Sequence, residues 1–393
     1  MFGGVDVLSS YTGAYMEGLA NFVKSWFPMF MFGAIFGKIM DVTGAAESVA
    51  SEMVKLIGKK RAMLGVVLAC ALLTYGGVSL FVVVFAIYPV ALSLFRQANL
   101  PRRLIPGCIA LGAFTFTMTA FPGSPQLNNL IPTEYFGTNA MSGSLMGIVA
   151  GLVMLVGGYL YLLWREKKLL AAGEHFDEPQ DHVKTVPDNL PNPWLSTLPL
   201  IAVVVTLNVF KFHIITALLC GIILAVALNW RQWNHMLQAV SDGAHSSVAA
   251  IMNTSAAVGF GAVVKVVPGF AVLTNLVLGI KGSPLVSEAL AVTLLAGATG
   301  SSSGGMGIAL EALGTQYVEL AHQYGISLDA FHRVASIASG GLDSLPHCGA
   351  VITLLAVTGM KHKDSYGDIG VVTCVIPLIA TAVAVLMGSV GLV

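Results

Sequence analysis

The stretch from Ile337 to Val351 holds an unusual density of reactive groups for an apolar chain: Ser339, Asp343, Ser344, His347 and Cys348, set among Gly340, Gly341 and Pro346. An acid and an imidazole can exchange protons, and hydroxyls with freed backbone amides can hold a carboxylate. The flanking sequence is apolar enough for a membrane interior, where nothing outside the protein can hydrogen-bond a broken backbone. Helix-breaking Gly and Pro and ionisable groups therefore persist at that depth only against protein or a wet cavity. The implied chemistry is binding of a small solute and movement of an ion inside a membrane. Asp343 is the candidate coupling group. His347, four residues on, shares a face with it if the local backbone stays helical and would then be a second titratable partner; the plainer alternative is a hydrogen-bonding core histidine.

Three other interruptions have the same character. Thr74-Tyr75-Gly76-Gly77-Val78-Ser79 and Thr299-Gly300-Ser301-Ser302-Ser303-Gly304-Gly305 are small, polar tips between apolar arms. Phe121-Pro122-Gly123-Ser124-Pro125-Gln126-Leu127-Asn128-Asn129 breaks a long apolar run, since Pro removes a donor and clashes with the preceding turn. Candidate solute-binding residues are Gly76, Gly77 and Ser79; Ser124, Gln126 and Asn128; Ser301, Ser302, Ser303, Gly304 and Gly305; and Ser339 and Ser344, with Asp343 and His347 as candidate proton-coupling groups. A Gly/Ser helix-packing seam is the alternative for the tips, and an ordinary loop between two shorter spans is the alternative for the first break. Glu311 lies in the outgoing arm beyond the second tip and could face a wet access surface. Arg103 and Arg333 precede the two broken runs, where interfacial anchoring accounts for both.

These residues need elements to position them. The chain is 56% hydrophobic and only 10% charged, with a mean hydropathy of +0.81, outside the range of soluble domains. The expectation is an all-α polytopic membrane protein. Apolar runs long enough to span lie near 20–42, 104–131, 144–164, 194–211, 213–229, 247–267, 334–358 and 369–391, while 62–95 and 287–322 read as re-entrant hairpins. Five cysteines stand singly in apolar segments with no metal spacing and read as packing residues. No cleavable signal peptide is visible, and a net charge of zero gives no reason to expect nucleic acid as a partner. No metal, cofactor or catalytic group is expected.

Counting crossings, with each hairpin returning to its own side, sorts the basic residues. One side receives Lys55, Lys59, Lys60, Arg61, Arg96, Arg102, Arg103, Arg165, Lys167, Lys168, Lys184, Arg231, Lys361 and Lys363; the other has chiefly Lys211, Lys281 and Arg333. Basic loops stay cytoplasmic, so both ends of this chain fall outside the cytoplasm. Phe32-Gly33-Ala34 recurs as Phe260-Gly261-Ala262 and Gly76-Gly77 as Gly304-Gly305, at the same offset of 228 residues. The order span, amphipathic stretch, hairpin, broken span, final span occurs twice, an odd number of crossings apart, which predicts inverted repeats. The expected divisions are 1–165 for the first repeat, 166–193 for a charged cytoplasmic linker and 194–393 for the second. The second repeat is preceded by two spans without counterparts in the first, so an ancestral asymmetry or a start roughly 40 residues late is expected.

Ser339-Gly-Gly-Leu-Asp-Ser-Leu-Pro-His-Cys-Gly-Ala-Val-Ile-Thr353, followed by Lys361-His-Lys-Asp-Ser-Tyr366, resembles the gluconate permease (GntP-type) family of proton symporters for organic acids. Gly300-Ser-Ser-Ser-Gly-Gly-Met-Gly307 and Phe32-Gly-Ala-Ile-Phe-Gly-Lys38 resemble it too. The resemblance implies an ion-transporter-type inverted-repeat fold, the inner membrane of a bacterium, and proton-coupled uptake of a hydroxy acid. The family usually opens with two further apolar spans, and gluconate-type members carry a His-Pro element where this chain has Phe121-Pro-Gly-Ser-Pro-Gln126. That difference makes it more similar to a 3-hydroxybutyrate-like branch. The expected partners are a small organic anion, a proton or alternatively sodium, the lipid bilayer, and, as an open option, a second copy in a homodimer. Two other classes are weaker fits: a channel wants an open filter made by oligomeric symmetry, and a hydrolase built on Ser344 and His347 would leave the paired tips and breaks unexplained.

Overall fold

The computed structural model describes residues 5–58, 61–179, 189–267 and 283–393. Lys59, Lys60, Lys184 and Lys281, the central part of the expected linker, and most of the stretch before the second hairpin lie outside them. The described chain is helical. Among these residues, six helices are long and apolar enough to cross a membrane: Val7–Val42, Leu80–Ala98, Arg102–Ala120, Ser144–Ala171, Trp230–Val263 and His362–Ser389.

Apolar runs make the long helices, which tolerate single Gly and Pro residues such as Pro28 and Pro89, and the interruptions fall where small and polar residues cluster. α1 (Met16–Val42) leads to α2 (Ala45–Ile57), which buries Ala45, Ala46, Val49 and Ala50 at helical spacing. α3 (Ala62–Tyr75) and α4 (Leu80–Ala98) form the first hairpin. α5 (Ile105–Ala113) and α6 (Leu127–Phe136) are the halves of the first broken helix, and α7 (Ser144–Ala171) follows. α8 (Pro193–Asn208), α9 (Ile214–Leu228) and α10 (Trp233–Val266) precede the second hairpin, α11 (Pro284–Thr299) with α12 (Ser302–Tyr324). α13 (Leu328–Ser339) and α14 (Gly349–Thr358) are the second broken helix, and α15 (His362–Gly370) runs through a π-turn into α16 (Ile376–Ser389).

Packing pairs the elements in matching ways. α1 packs along α10 and α7 along α16; α3 packs on α5 as α11 does on α13; α4 packs on α14 as α12 does on α6. On α7, exposed Leu145, Ile148, Leu152, Val156 and Leu160 recur every three or four residues. That is a stripe of one helix face too apolar to sit in water, and it ends where Lys168 lies 5.2 Å over the Trp164 ring, the residue types of a membrane interface.

Two expected spans are shorter than read. α8 and α9 have 16 and 15 residues, about 24 and 22 Å at 1.5 Å per residue, against about 30 Å of hydrocarbon. Asn192 caps α8 and the chain turns between 209 and 213, with Lys211 at φ 53°, so a turn consumes residues that hydropathy alone assigns to helix. α10 conversely starts at Trp233, well before residue 247, and its Gly243 lies against the Ile35 backbone of α1.

Candidate functional site

The two tips and the two breaks meet. At the first hairpin, Gly77 turns the chain with φ 96°, and a Cβ there would lie 3.1 Å from Pro125 Cγ of the first break. The Tyr75 hydroxyl donates to the Pro122 carbonyl at 2.8 Å and the Gln126 side-chain amide to the Thr74 carbonyl at 2.6 Å. These bonds supply partners to backbone oxygens that a continuous helix would have satisfied itself. Gly76 faces Leu200 of α8 with no room for a Cβ. Ser79 stands at the N-terminus of α4, half-buried, with no side-chain bond to the first turn, which leaves the first amides of α4 without that cap.

The first break is tied to itself and to the second. Ser124 is fully buried; its hydroxyl accepts from the Gln126 amide at 3.3 Å and its carbonyl accepts from Asn129 at 2.8 Å. Asn128 donates to the Ser339 hydroxyl at 2.7 Å, joining residues 211 apart in sequence. A Cβ at Gly340 would meet the Thr119 hydroxyl at 3.2 Å, and the Ser336 hydroxyl donates to the Thr119 carbonyl at 2.7 Å.

At the second hairpin, Gly300 takes the left-handed conformation, φ 61°, that ends α11. The Ser301 hydroxyl accepts from the Gly304 amide at 3.1 Å and caps α12. Ser344 donates to Asp343 Oδ1 at 3.0 Å, and the Ser302 side chain of the second tip lies beside the same carboxylate. Asp343 is 5% exposed, so the carboxylate lies in the seam between the second tip and the second break. Gly304 is buried and Ser303 half-buried beside it. Gly305 has a different duty: a Cβ there would lie 2.2 Å from the Ala296 backbone nitrogen, so this glycine lets the two hairpin arms touch.

His347 sits against Gly300, with its Nε2 3.1 Å from where a Cβ would be. The chain from Gly340 to His347 is bent rather than helical, so the helical face that would have paired His347 with Asp343 does not form. The imidazole is exposed while the carboxylate is buried.

Sequence reasoning missed several members of this region. Arg333 is no interfacial anchor: it is fully buried. Its guanidinium donates to the Ala120 carbonyl at 3.1 Å, to Asn129 Oδ1 at 2.9 Å and, through Nε and Nη2, to the Ser142 carbonyl. A broken helix and a tight loop leave several carbonyls without partners, and a five-donor group serves them from one point. His332 beside it is within 2.7 Å of the Thr138 hydroxyl. Thr115 and Thr117 return hydroxyls to the carbonyls of Leu111 and Gly112, a signal visible as alternating threonines before the first break. Glu288 in α11 is fully buried, with neither carboxylate oxygen hydrogen-bonded. Glu311 receives the Tyr135 hydroxyl at 3.3 Å and ties α12 to α6.

Re-entrant hairpins set against broken helices, inside an all-helical body with a lipid-facing stripe, define a multi-pass membrane transporter. Comparison with known proteins agrees. The sequence model of the GntP family permeases matches residues 1–219. The chain is 40% identical to the uncharacterized transporter YxjC of Bacillus subtilis over 98% of this chain and 91% of that protein. It is 24% identical to the gluconate permease of Zymomonas mobilis over 52% of this chain and 47% of that one. Among solved structures, the YdaH transporter of Alcanivorax borkumensis superposes with a TM-score of 0.56 at 14% identity, covering 99% of this chain and 89% of that one, a likeness of fold. The chain belongs to the GntP permease family.

Proposed function

We propose that the chain is a secondary active transporter that takes up a small hydroxycarboxylate together with a proton across the bacterial inner membrane. The single observation that carries the reading is Asp343, a buried carboxylate that accepts from Ser344 and lies beside Ser302 where the second tip meets the second break. A carboxylate set among hydroxyls can exchange a proton without moving its oxygens far. The substrate carboxylate docks nearby on the amides and hydroxyls of the tips and breaks, as anions do at helix N-termini. Residues 1–165 and 194–393 act as inverted repeats around this point, with 166–193 as their linker; the matched packing of α3 on α5 and α11 on α13, and of α4 on α14 and α12 on α6, supports that division. Gluconate is the substrate named for the Zymomonas mobilis relative, and it heads the candidates here, with 3-hydroxybutyrate second.

Purified protein in proteoliposomes is expected to accumulate one member of a panel of gluconate, 3-hydroxybutyrate, lactate and citrate faster under an inward proton gradient. Asp343→Asn is expected to lose that acceleration and retain exchange of substrate for substrate, since docking is left in place. Sodium-driven uptake at constant pH would overturn the proton, and proton-driven uptake unchanged in Asp343→Asn would remove Asp343 from the mechanism.

A further inference from the structure

A cavity of about 910 Å³ lies at the far end of α14 from the second break. Five cations line it: Lys38, Arg102, Arg103, Lys361 and Lys363. Three carboxylates of its fixed wall offset them, of which Asp41 pairs with Lys38 at 3.0 Å and Asp364 accepts from the Lys361 amide at 3.2 Å to cap α15; Glu47 is the third. The remaining two carboxylates, Asp177 and Glu178, come from the segment after α7.

That segment docks residue by residue on the chain from Arg96 to Arg103. Glu174 pairs with Arg103 at 3.3 Å, Asp177 with Arg102 at 2.9 Å, and Glu178 with Arg96 through two bonds of 2.8 and 2.6 Å. The Phe176 ring lies under the Arg96 guanidinium, 5.6 Å from its carbon, and the Phe176 amide donates to Asn99. The pattern is carboxylate on guanidinium three times over, which reports the ligand chemistry these arginines accept. The grip is weak. The Asp177 and Glu178 side chains are each 62% exposed and Glu174 42%, and ion pairs open to water contribute little and loosen with salt. A wall that keeps two more cations than carboxylates once the segment leaves is a poor structural staple and a good anion site.

We propose that this cavity is a carboxylate-binding vestibule on the Lys- and Arg-rich face of the protein, and that Glu174 to Glu178 form an acidic strap occupying its arginines until an organic anion displaces it. The strap then holds the mouth closed between transport events and competes with product on its way out. The assignment rests on the transport reading for its purpose, but the binding it predicts can be measured without transport.

The test uses the full chain in detergent, with D-gluconate and citrate as probes and thermal unfolding as the readout, because a ligand bound only by the folded state raises the unfolding temperature according to its occupancy. Neutralising the strap (Glu174→Gln with Asp177→Asn and Glu178→Gln) is expected to lower the half-maximal concentration of at least one probe about fivefold or more, the size of a modest coupling. Asp177→Asn alone is expected to shift it in the same direction, which covers the case of a triple variant that folds poorly. Arg102→Gln with Arg103→Gln is expected to abolish that component of the response. Superimposable curves for wild type and Asp177→Asn, or a response that survives loss of both arginines, would overturn the vestibule. If the strap variants show the predicted binding but no variant transports any substrate, the transport reading fails and the vestibule stands.

Discussion

Single side chains in this protein divide into those that satisfy a break and those left unsatisfied, and the second kind is informative. Arg333 belongs to the first: its guanidinium serves the Ala120, Ala140 and Ser142 carbonyls, which lie at a helix break and a loop, and the Asn129 side-chain oxygen. Glu288 belongs to the second, with two buried oxygens and no donor for either. A buried polar group without a partner costs about 1–3 kcal/mol. Glu288→Leu is therefore expected to raise stability by about that amount, read as a higher unfolding temperature in detergent. A variant that is more stable and yet transports less would make Glu288 a second proton-carrying acid; an unchanged or lower unfolding temperature would mean that the acid is satisfied in the folded protein. Neither residue's role was legible in the sequence. A lone Arg before an apolar run reads as an anchor and a lone Glu in a hairpin arm has no pattern, because what distinguishes them is contact with segments far away along the chain. The place of Asp343 in a broken segment was legible for the opposite reason: its surroundings break every rule of a membrane helix within a few residues.

Elements were read better than side chains. Both hairpins and both broken helices fall where the Gly, Pro and Ser clusters are, since those residues act locally and the penalty for a broken backbone in lipid is large. Boundaries that depend on tertiary packing were not readable, which is why α8 and α9 come out shorter and α10 longer than hydropathy suggests. In the second hairpin and the second broken helix, sequence alone could not say which glycines the close approach of a neighbouring helix requires. The structure separates them, and the separation can be checked. At Gly305 a Cβ would lie 2.2 to 2.5 Å from the α11 backbone, with no flexible side chain to yield. Gly349, at the start of α14, has nothing within 4 Å and an ordinary helical backbone. Gly305→Ala is expected to push the arms apart at a cost of about 1–3 kcal/mol, lowering the yield of monodisperse protein on size-exclusion chromatography. Gly349→Ala is expected to match the parent, and equal behaviour of the two variants would contradict the tight approach of the arms.

For the whole molecule, the arrangement of contacts decides what can move. The first tip is fastened to the first break by Tyr75 and Gln126 and the breaks to one another by Asn128 and Ser339, and the second tip meets the second break where Ser302 lies beside Asp343. The last junction carries the proposed proton site and holds a further bond, from the Thr293 hydroxyl to the Ala338 carbonyl at 3.0 Å, so parting there is what exposes Asp343. Alternating access then requires the second hairpin to part from the second break in each cycle. A native thiol already stands at that seam. Cys348 is buried, and its Cα lies 3.4 Å from where a Gly300 Cβ would be, close enough for a disulfide once Gly300→Cys supplies the second sulfur. Oxidation of this variant in proteoliposomes is expected to abolish uptake, and dithiothreitol to restore it, while the same variant with Cys348→Ala ignores the oxidant. Full activity of the quantitatively cross-linked protein would mean that tip and break travel as one body, and the moving surface would then have to be sought at the pairing of α1 with α10.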